Sequence, residues 1–290
     1  MGLRRIDIMY IALNERSKIY DIDENIIGQS GKTYELSDRI GGGGNGAVYE
    51  CIDSNGDVLA IKFLLHFSNK SKTRFLQEIS ILKGINNPHI IKYIDEGYVT
   101  AYDNRGTSFE IPFLIMEKAD CNLVEYLKKE PEIEYEFYSG QFRGLCEGLA
   151  ELHKIAIHRD IKPENVLVKA DRWIISDFGL SQIIDPNLRQ DVTGNNEKVG
   201  PIFWISPEAV TKYYFNTTEI GPYSDVYQLC LVFLFVITRT FPGGIICKEE
   251  IANTTDSIKD LLMSALSYNI EARPQDGTAL LQRYNEATYR

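Results

Sequence analysis

The densest chemistry in the chain lies in one string, His158-Arg159-Asp160-Ile161-Lys162-Pro163-Glu164-Asn165. Six of its eight residues are polar or charged, yet apolar runs flank it at 155–157 and 166–168. Polar groups held between core strands are costly unless they are satisfied or used. Asp160 and Asn165 lie five apart and are expected to face one cleft. Eleven residues after Asn165 comes Ser176, then Asp177-Phe178-Gly179, an acid directly after a strand with a glycine for a turn. Oxygens from Asp177 and Asn165 suit Mg²⁺, a hard cation that usually shares its ligands with phosphates. Alone, Asp-Phe-Gly would be a β-turn; its order and spacing with the other groups give it chemical meaning.

Two further groups point to a polyanion. Gly41, Gly43 and Gly46 fit G-x-G-x-x-G, with Val48 two residues on. Glycines let the backbone approach phosphates and offer N–H donors. A dinucleotide fold would want a helix after them, and the strand-like Ala47-Val48-Tyr49 disfavours it. Lys62 ends an apolar strand, and Glu78 lies on the helix that follows. A lysine there is ordinarily a snorkelling surface residue, but a Lys–Glu pair would fix one cation for a nucleotide's phosphates. Gly28-Gln29-Ser30-Gly31-Lys32-Thr33 nearly spells a P-loop, but position 26 is Ile26 rather than glycine, so a turn is expected.

These groups need a scaffold. Strands are predicted at 34–40, 47–51 and 58–63, with a turn at Asn55-Gly56-Asp57. Phe75, Ile79, Leu82 and Ile85 share one face of a helix over 71–85, ended by Asn86-Asn87-Pro88. Strand-like runs follow at 90–94 and 113–116, with a loop expected over 100–110. A long helix is predicted over 133–153, short strands over 166–168 and 173–175, and an apolar helix capped by Ser224 and ending near Thr238. Helices over 256–267 and 276–287 finish the chain. Strands first and helices later imply an α+β arrangement in two lobes. Residues 1–32 have no clear period and read as an N-terminal extension.

Composition narrows the class. The 290 residues are 44% hydrophobic, enough for a sizeable core, and the formal charge of −10 argues against nucleic acid as the main partner. The five cysteines are scattered and form no C-x-x-C, which fits reduced thiols in the cytoplasm. No signal peptide is evident, and Ile6 breaks the myristoylation pattern after Met1-Gly2. The longest apolar run, 229–237, is far short of the ~20 residues a bilayer needs, so no membrane association is expected.

In this order the motifs resemble those of a eukaryotic-type protein kinase catalytic domain, over about residues 34–287. Glycine loop, strand lysine, helix glutamate, H-R-D-x-x-x-x-N, D-F-G and Pro207-Glu208 follow one another as in that family. Asp225 begins the apolar helix, and Arg273 resembles the arginine that pairs with Glu208. The four glycines 41–44 are closer to bacterial members. The resemblance implies a bilobal fold, with a small β-rich lobe carrying one main helix (33–117) and a larger helical lobe (118–290). It implies ATP and Mg²⁺, with Mn²⁺ as a substitute. Gly41, Gly43 and Gly46 would cover the phosphates; Lys62, held by Glu78, would contact them; Asn165 and Asp177 would hold the metal. Asp160 would take or orient the substrate hydroxyl proton, and Lys162 would steady the transferred phosphate. Ile40, Val48, Ala60 and Leu167 would line the adenine site, with Met116 as gatekeeper and Glu117 and Ala119 offering backbone hydrogen bonds.

Lys162, two residues after Asp160, is the mark of serine/threonine kinases in this family. Pro201, before Ile202 and Trp204, resembles the tyrosine-directed version instead, which keeps dual or tyrosine specificity as the alternative. A pseudokinase scaffold would lack the lysine or an essential aspartate, and none is missing. Arg159 allows an activation-segment phosphate to be bound, with Thr193 the better acceptor and Ser181 the other. Most of the acidic excess falls after Glu117, which favours basic protein substrates.

Overall fold

The computed structural model describes residues 8–12, 19–42, 46–185 and 203–288. The chain divides into two compact units, Met1–Leu82 with Lys92–Lys118, and Lys83–Ile91 with Ala119–Arg290.

The first unit is one antiparallel sheet and a helix. Its strands are β1 (Ile8–Ala12), β2 (Ile19–Asp23), β3 (Asn25–Ile27), β4 (Thr33–Gly42), β5 (Gly46–Asp53) and β6 (Val58–Leu64). Helix α1 (Asn69–Lys83) follows, then β7 (Tyr93–Tyr102) and β8 (Ser108–Glu117). The hydrogen-bonded order is β1-β2-β7-β8-β6-β5-β4-β3. Only Glu24 separates β2 from β3, yet they sit near opposite ends of that order. The sheet therefore curls strongly until its ends approach. Inside the curl pack Ile11, Tyr20, Ile22 and Ile26 from the first three strands, with Tyr34, Tyr49, Phe63 and Phe113 from the others. Residues 8–12, 19–23 and 25–27, read from sequence as part of an extension without a period, are thus strands of the same sheet.

Two other expectations change here. The stretch 100–110 is not a loop: β7 and β8 pair as far as Tyr102 opposite Ser108. The turn between them is tight, because the Asp103 carboxylate accepts the N–H groups of Arg105 and Thr107, both at 2.9 Å. Helix α1 stops at Lys83, so Ile85 lies beyond it. The near-P-loop is a turn, as expected. Gly28 N–H donates to the Lys32 carbonyl (2.9 Å), and β4 rather than a helix follows. Buried Asp95 pins it through Ser30 and Tyr34, and a Cβ at Gly28 would collide with that carboxylate.

The second unit is mainly helical. It contains β9 (Cys121–Asn122), α2 (Leu123–Lys129), α3 (Tyr135–Leu152), β10 (Ala156–Ile157), β11 (Val166–Lys169), β12 (Arg172–Ile175) and β13 (Gln182–Ile183). After these come α4 (Pro207–Phe215), α5 (Pro222–Thr238), α6 (Asp256–Ala265) and α7 (Gly277–Thr288). Strands β12, β11 and β9 form one small sheet, and β10 pairs with β13. Helix α5 is almost wholly buried and stacks Phe233 on Phe142 of α3 at 3.8 Å. Ser224 is not its cap: Gly221 holds that position and Pro222 begins the helix, its fixed φ suiting the first turn. The Ser224 hydroxyl donates instead to Glu208 (2.6 Å). Among the described residues, no helix is long and apolar enough to cross a membrane.

Candidate active site

The polar string predicted to be costly is satisfied almost atom by atom. Asp225, near the start of α5, accepts the backbone N–H of His158 (2.6 Å) on one carboxylate oxygen and that of Arg159 (2.7 Å) on the other. His153, just after α3, bonds through Nε2 to the same Asp225 (3.0 Å) and accepts Gly277 N–H on Nδ1 (2.9 Å). His158 donates from Nε2 to the Ser176 carbonyl (3.0 Å), and its Nδ1 accepts the Asp160 N–H (3.3 Å). Its ring lies 4.8 Å from that of Phe178. Arg159 is forced into the left-handed region (φ 70°), a strained backbone held by these bonds.

Asp160 is the centre of this arrangement. Its Oδ2 accepts from Lys162 Nζ (2.9 Å) and Asn165 Nδ2 (2.9 Å). Its Oδ1 is buried and has no partner among the described residues. A buried acceptor oxygen without a protein partner is costly unless another group donates to it. Burial pushes the Asp160 carboxyl above its usual range; Lys162 pulls it back, and nearby Asp177 raises it again.

Asn165 closes the short 3-10 turn that begins at Pro163. Its amide group donates to the Asp160 carbonyl (2.8 Å) as well as to Oδ2, so both amide hydrogens are spent and its side-chain oxygen is left as an acceptor. The Asn165 carbonyl accepts Ser176 N–H and Ser176 Oγ, both at 2.9 Å, which ties the turn to the residue before Asp177. Asp177 itself is exposed and left-handed (φ 62°). An exposed carboxylate and an oriented amide oxygen are hard donors, and they fit Mg²⁺.

In the first unit, Lys62 Nζ contacts both oxygens of Glu78, at 2.7 and 2.9 Å. Lys62 pairs with Val48 on one side and Leu114 on the other. Ala60 is opposite Met116 in the same way. Alternation along the strands therefore gives Val48, Ala60, Lys62 and Met116 one face of the sheet, opposite the core side chains. Gly41 lies opposite Val48, and Ile40 is exposed beside it. Gly46 must be glycine, because a Cβ there would run into the Phe63 carbonyl. Glu117 ends β8, with its N–H and a side-chain oxygen both bonded to the Lys92 backbone at 3.0 Å. Ala119 begins the second unit, and Leu167 lies there on β11 opposite Asn122.

Gly43, Thr193 and Pro201 lie outside the described residues. Ser181 is buried, and its hydroxyl faces the His158 carbonyl at 3.5 Å, so in this conformation it is not presented for phosphorylation. Glu208 and Arg273 pair at 2.9 Å, the arginine fully buried. Sequence reasoning missed His153, which bonds to Asp225, and Gln228, which bonds to the backbone of the polar string. Their signal was present: polar residues at sites otherwise set among core residues.

The protein kinase domain family matches residues 34–284. The chain belongs to the protein kinase family. The kinase chain is 26% identical over 274 residues to a probable serine/threonine-protein kinase, PkwA, of Thermomonospora curvata, covering 88% of this chain and 34% of that protein. It is 27% identical over 212 residues to cysteine-rich receptor-like protein kinase 45 of Arabidopsis thaliana, covering 71% of this chain and 57% of that one. A probable serine/threonine-protein kinase of Encephalitozoon cuniculi is 27% identical over 257 residues, covering 86% and 44%. The chain thus spans less than three fifths of the length of these relatives. The family uses ATP with a divalent metal, generally Mg²⁺.

Proposed function

We propose that this chain transfers the γ-phosphate of ATP to serine or threonine hydroxyls of protein substrates, itself included. The observation that carries the reading is the geometry at Asp160, where Oδ2 is held by Lys162 and Asn165 while the buried Oδ1 is bonded to none of the described residues. A substrate hydroxyl would donate to Oδ1, which orients its oxygen for attack and receives its proton. Lys162 would stay bound to Asp160 while its charge meets the transferred phosphate. Lys62, aimed by Glu78, would hold the non-transferred phosphates, and Gly41, Gly43 and Gly46 would cover them with backbone N–H groups. Asn165 and Asp177 would hold Mg²⁺, which when bound supplies neutralising charge to the phosphate oxygens.

Lys162 supports serine/threonine specificity, as does similarity to two probable serine/threonine-protein kinases. Pro201 supports a dual-specificity reading in its place. The acidity of the second part of the chain favours basic substrates, and the scattered cysteines favour a cytoplasmic setting. We take 33–290 as the catalytic domain, with β1, β2 and β3 from the preceding residues completing its sheet.

The test is transfer from radiolabelled ATP with Mg²⁺ to the protein itself and to a basic protein acceptor, followed by phosphoamino-acid analysis. Mostly phosphoserine and phosphothreonine are expected. Mostly phosphotyrosine would overturn the substrate class, and no transfer to either acceptor would overturn the kinase reading.

A further inference from the structure

The geometry points to Gln228 as a positioning residue for the transfer step. The inference rests on the function proposed above and adds a residue to it. Gln228 sits on α5, three residues after Asp225 and on the same face. It is 3% exposed, in a helix whose next nine residues are apolar. A buried amide is retained at such a site only if its bonds are made.

All of the donors of Gln228 are used. Its Oε1 accepts the Ile161 N–H (3.1 Å). Its Nε2 donates to the Arg159 carbonyl (3.4 Å) and to the Trp204 carbonyl (3.1 Å). The amide therefore grips the backbone on both sides of Asp160. With Asp225 holding the N–H groups of His158 and Arg159, two α5 side chains fix four backbone groups around the reacting carboxylate. The third bond reaches a different stretch, just before α4. There Trp204 is buried, with its ring 5.6 Å from Phe235 and 6.0 Å from Phe241. Gln228 thus places Asp160 and the Trp204 segment in one register.

The chemistry is specific to an amide. Two carbonyl acceptors require two N–H donors, and one N–H requires an oxygen. A glutamate would oppose both carbonyls, and a methionine of similar shape would leave three backbone groups unbonded. Because every partner is a backbone atom, no other side chain in the string substitutes for it. Each side-chain bond of Gln228 goes to backbone of the second unit rather than to the residues proposed to hold the nucleotide, so nucleotide affinity is expected to be independent of it.

The test uses the full chain with Gln228→Met, which removes all three bonds, and Gln228→Asn, which keeps the amide one methylene short and guards against misfolding of the first. Each variant is scored for ADP-binding stoichiometry, KM for ATP and kcat per nucleotide-binding molecule. A displacement of about 1 Å at a reacting group costs up to about 100-fold, so kcat is expected to fall at least about tenfold in Gln228→Met and less in Gln228→Asn, with KM for ATP within twofold. A purely structural role would lower the competent fraction and leave kcat per competent molecule unchanged. A kcat within threefold of the wild type in both variants overturns the inference. Absence of transfer by the wild type would instead mark failure of the kinase reading.

Discussion

Replacing Asp160 by asparagine separates catalysis from stability with a single atom. The new side-chain oxygen takes the place of Oδ2 and keeps the bonds from Lys162 and Asn165, each 2.9 Å in the wild type. Its NH₂ fills the place of Oδ1, which has no partner to lose. The substrate hydroxyl then meets a donor where it needs an acceptor. A positioned general base contributes about 10²–10⁴-fold, so kcat should fall about 10³-fold, or about 4 kcal/mol at about 1.36 kcal/mol per decade. KM for ATP should stay within twofold. The effect on stability has the opposite sign. Burial raises the Asp160 pKa, so the folded protein binds this proton more tightly than the unfolded chain does. Stability from that proton is present below the unfolded carboxyl pKa of about 3.9 and is lost as pH rises through the folded value. Asp160→Asn removes that loss, so its Tm should exceed the wild-type Tm at pH 7, with the gap closing in acid. Steady-state transfer and scanning calorimetry read the two effects. Residual kcat above a tenth of wild type, or a lower Tm at pH 7, would refute the reasoning.

Glu78→Gln leaves Lys62 without its charge-assisted partner and should cost about tenfold in kcat/KM for ATP; unchanged kinetics would show that Glu78 does not aim Lys62. Arg273→Met strips the buried Glu208 of its cation, which typically costs about 3–5 kcal/mol, or a Tm lower by about 6–20 °C. Restoration of part of that loss by adding Glu208→Gln is the expected double-mutant result. Burial raises the Glu208 pKa, but the bonds from Arg273 and Ser224 outweigh it and leave it below the ordinary glutamate value of about 4.3. The pair's contribution is therefore present above that value and lost as pH falls, so the gap between Arg273→Met and wild type should narrow in acid. Deleting residues 1–27 removes Ile11, Tyr20, Ile22 and Ile26 from the core of the curled sheet. At about 1.5–3 kcal/mol for each large apolar side chain, the shortened protein should melt more than about 10 °C lower, and an unchanged melt would contradict the closed sheet.

What was legible in the sequence was local. The catalytic string, the Lys62–Glu78 pair and the Glu208–Arg273 pair are written as residue types at fixed spacing, and the pairs meet as expected. Helices α3, α5 and α7 have enough turns to show their period. What was not legible depends on distant partners. Strand β2 touches β7 where Asp21 faces Tyr102, and nothing near Asp21 announces that neighbour. The outer ends of β7 and β8 are polar because they face solvent, which made them resemble a loop. Helix α4 is short, and its start is marked mainly by Pro207. Ser224 has the chemistry of a cap but spends it on Glu208. Gln228 stands out as a polar residue at the head of an apolar run, but only three-dimensional neighbours reveal the use of its amide.

The bonds to Asp225 and Gly277 also set a schedule for synthesis. The catalytic string holds its shape through Asp225, and Asp225 is steadied by His153, which accepts from Gly277. At about 5–20 residues per second, Asp225 is translated roughly 3–13 s after Asp160. During that interval His158 and Arg159 lack the anchor that fixes their peptide groups, so Asp160 is not yet aimed. The backbone on either side of Asp160 is thus fixed only by residues made well after it.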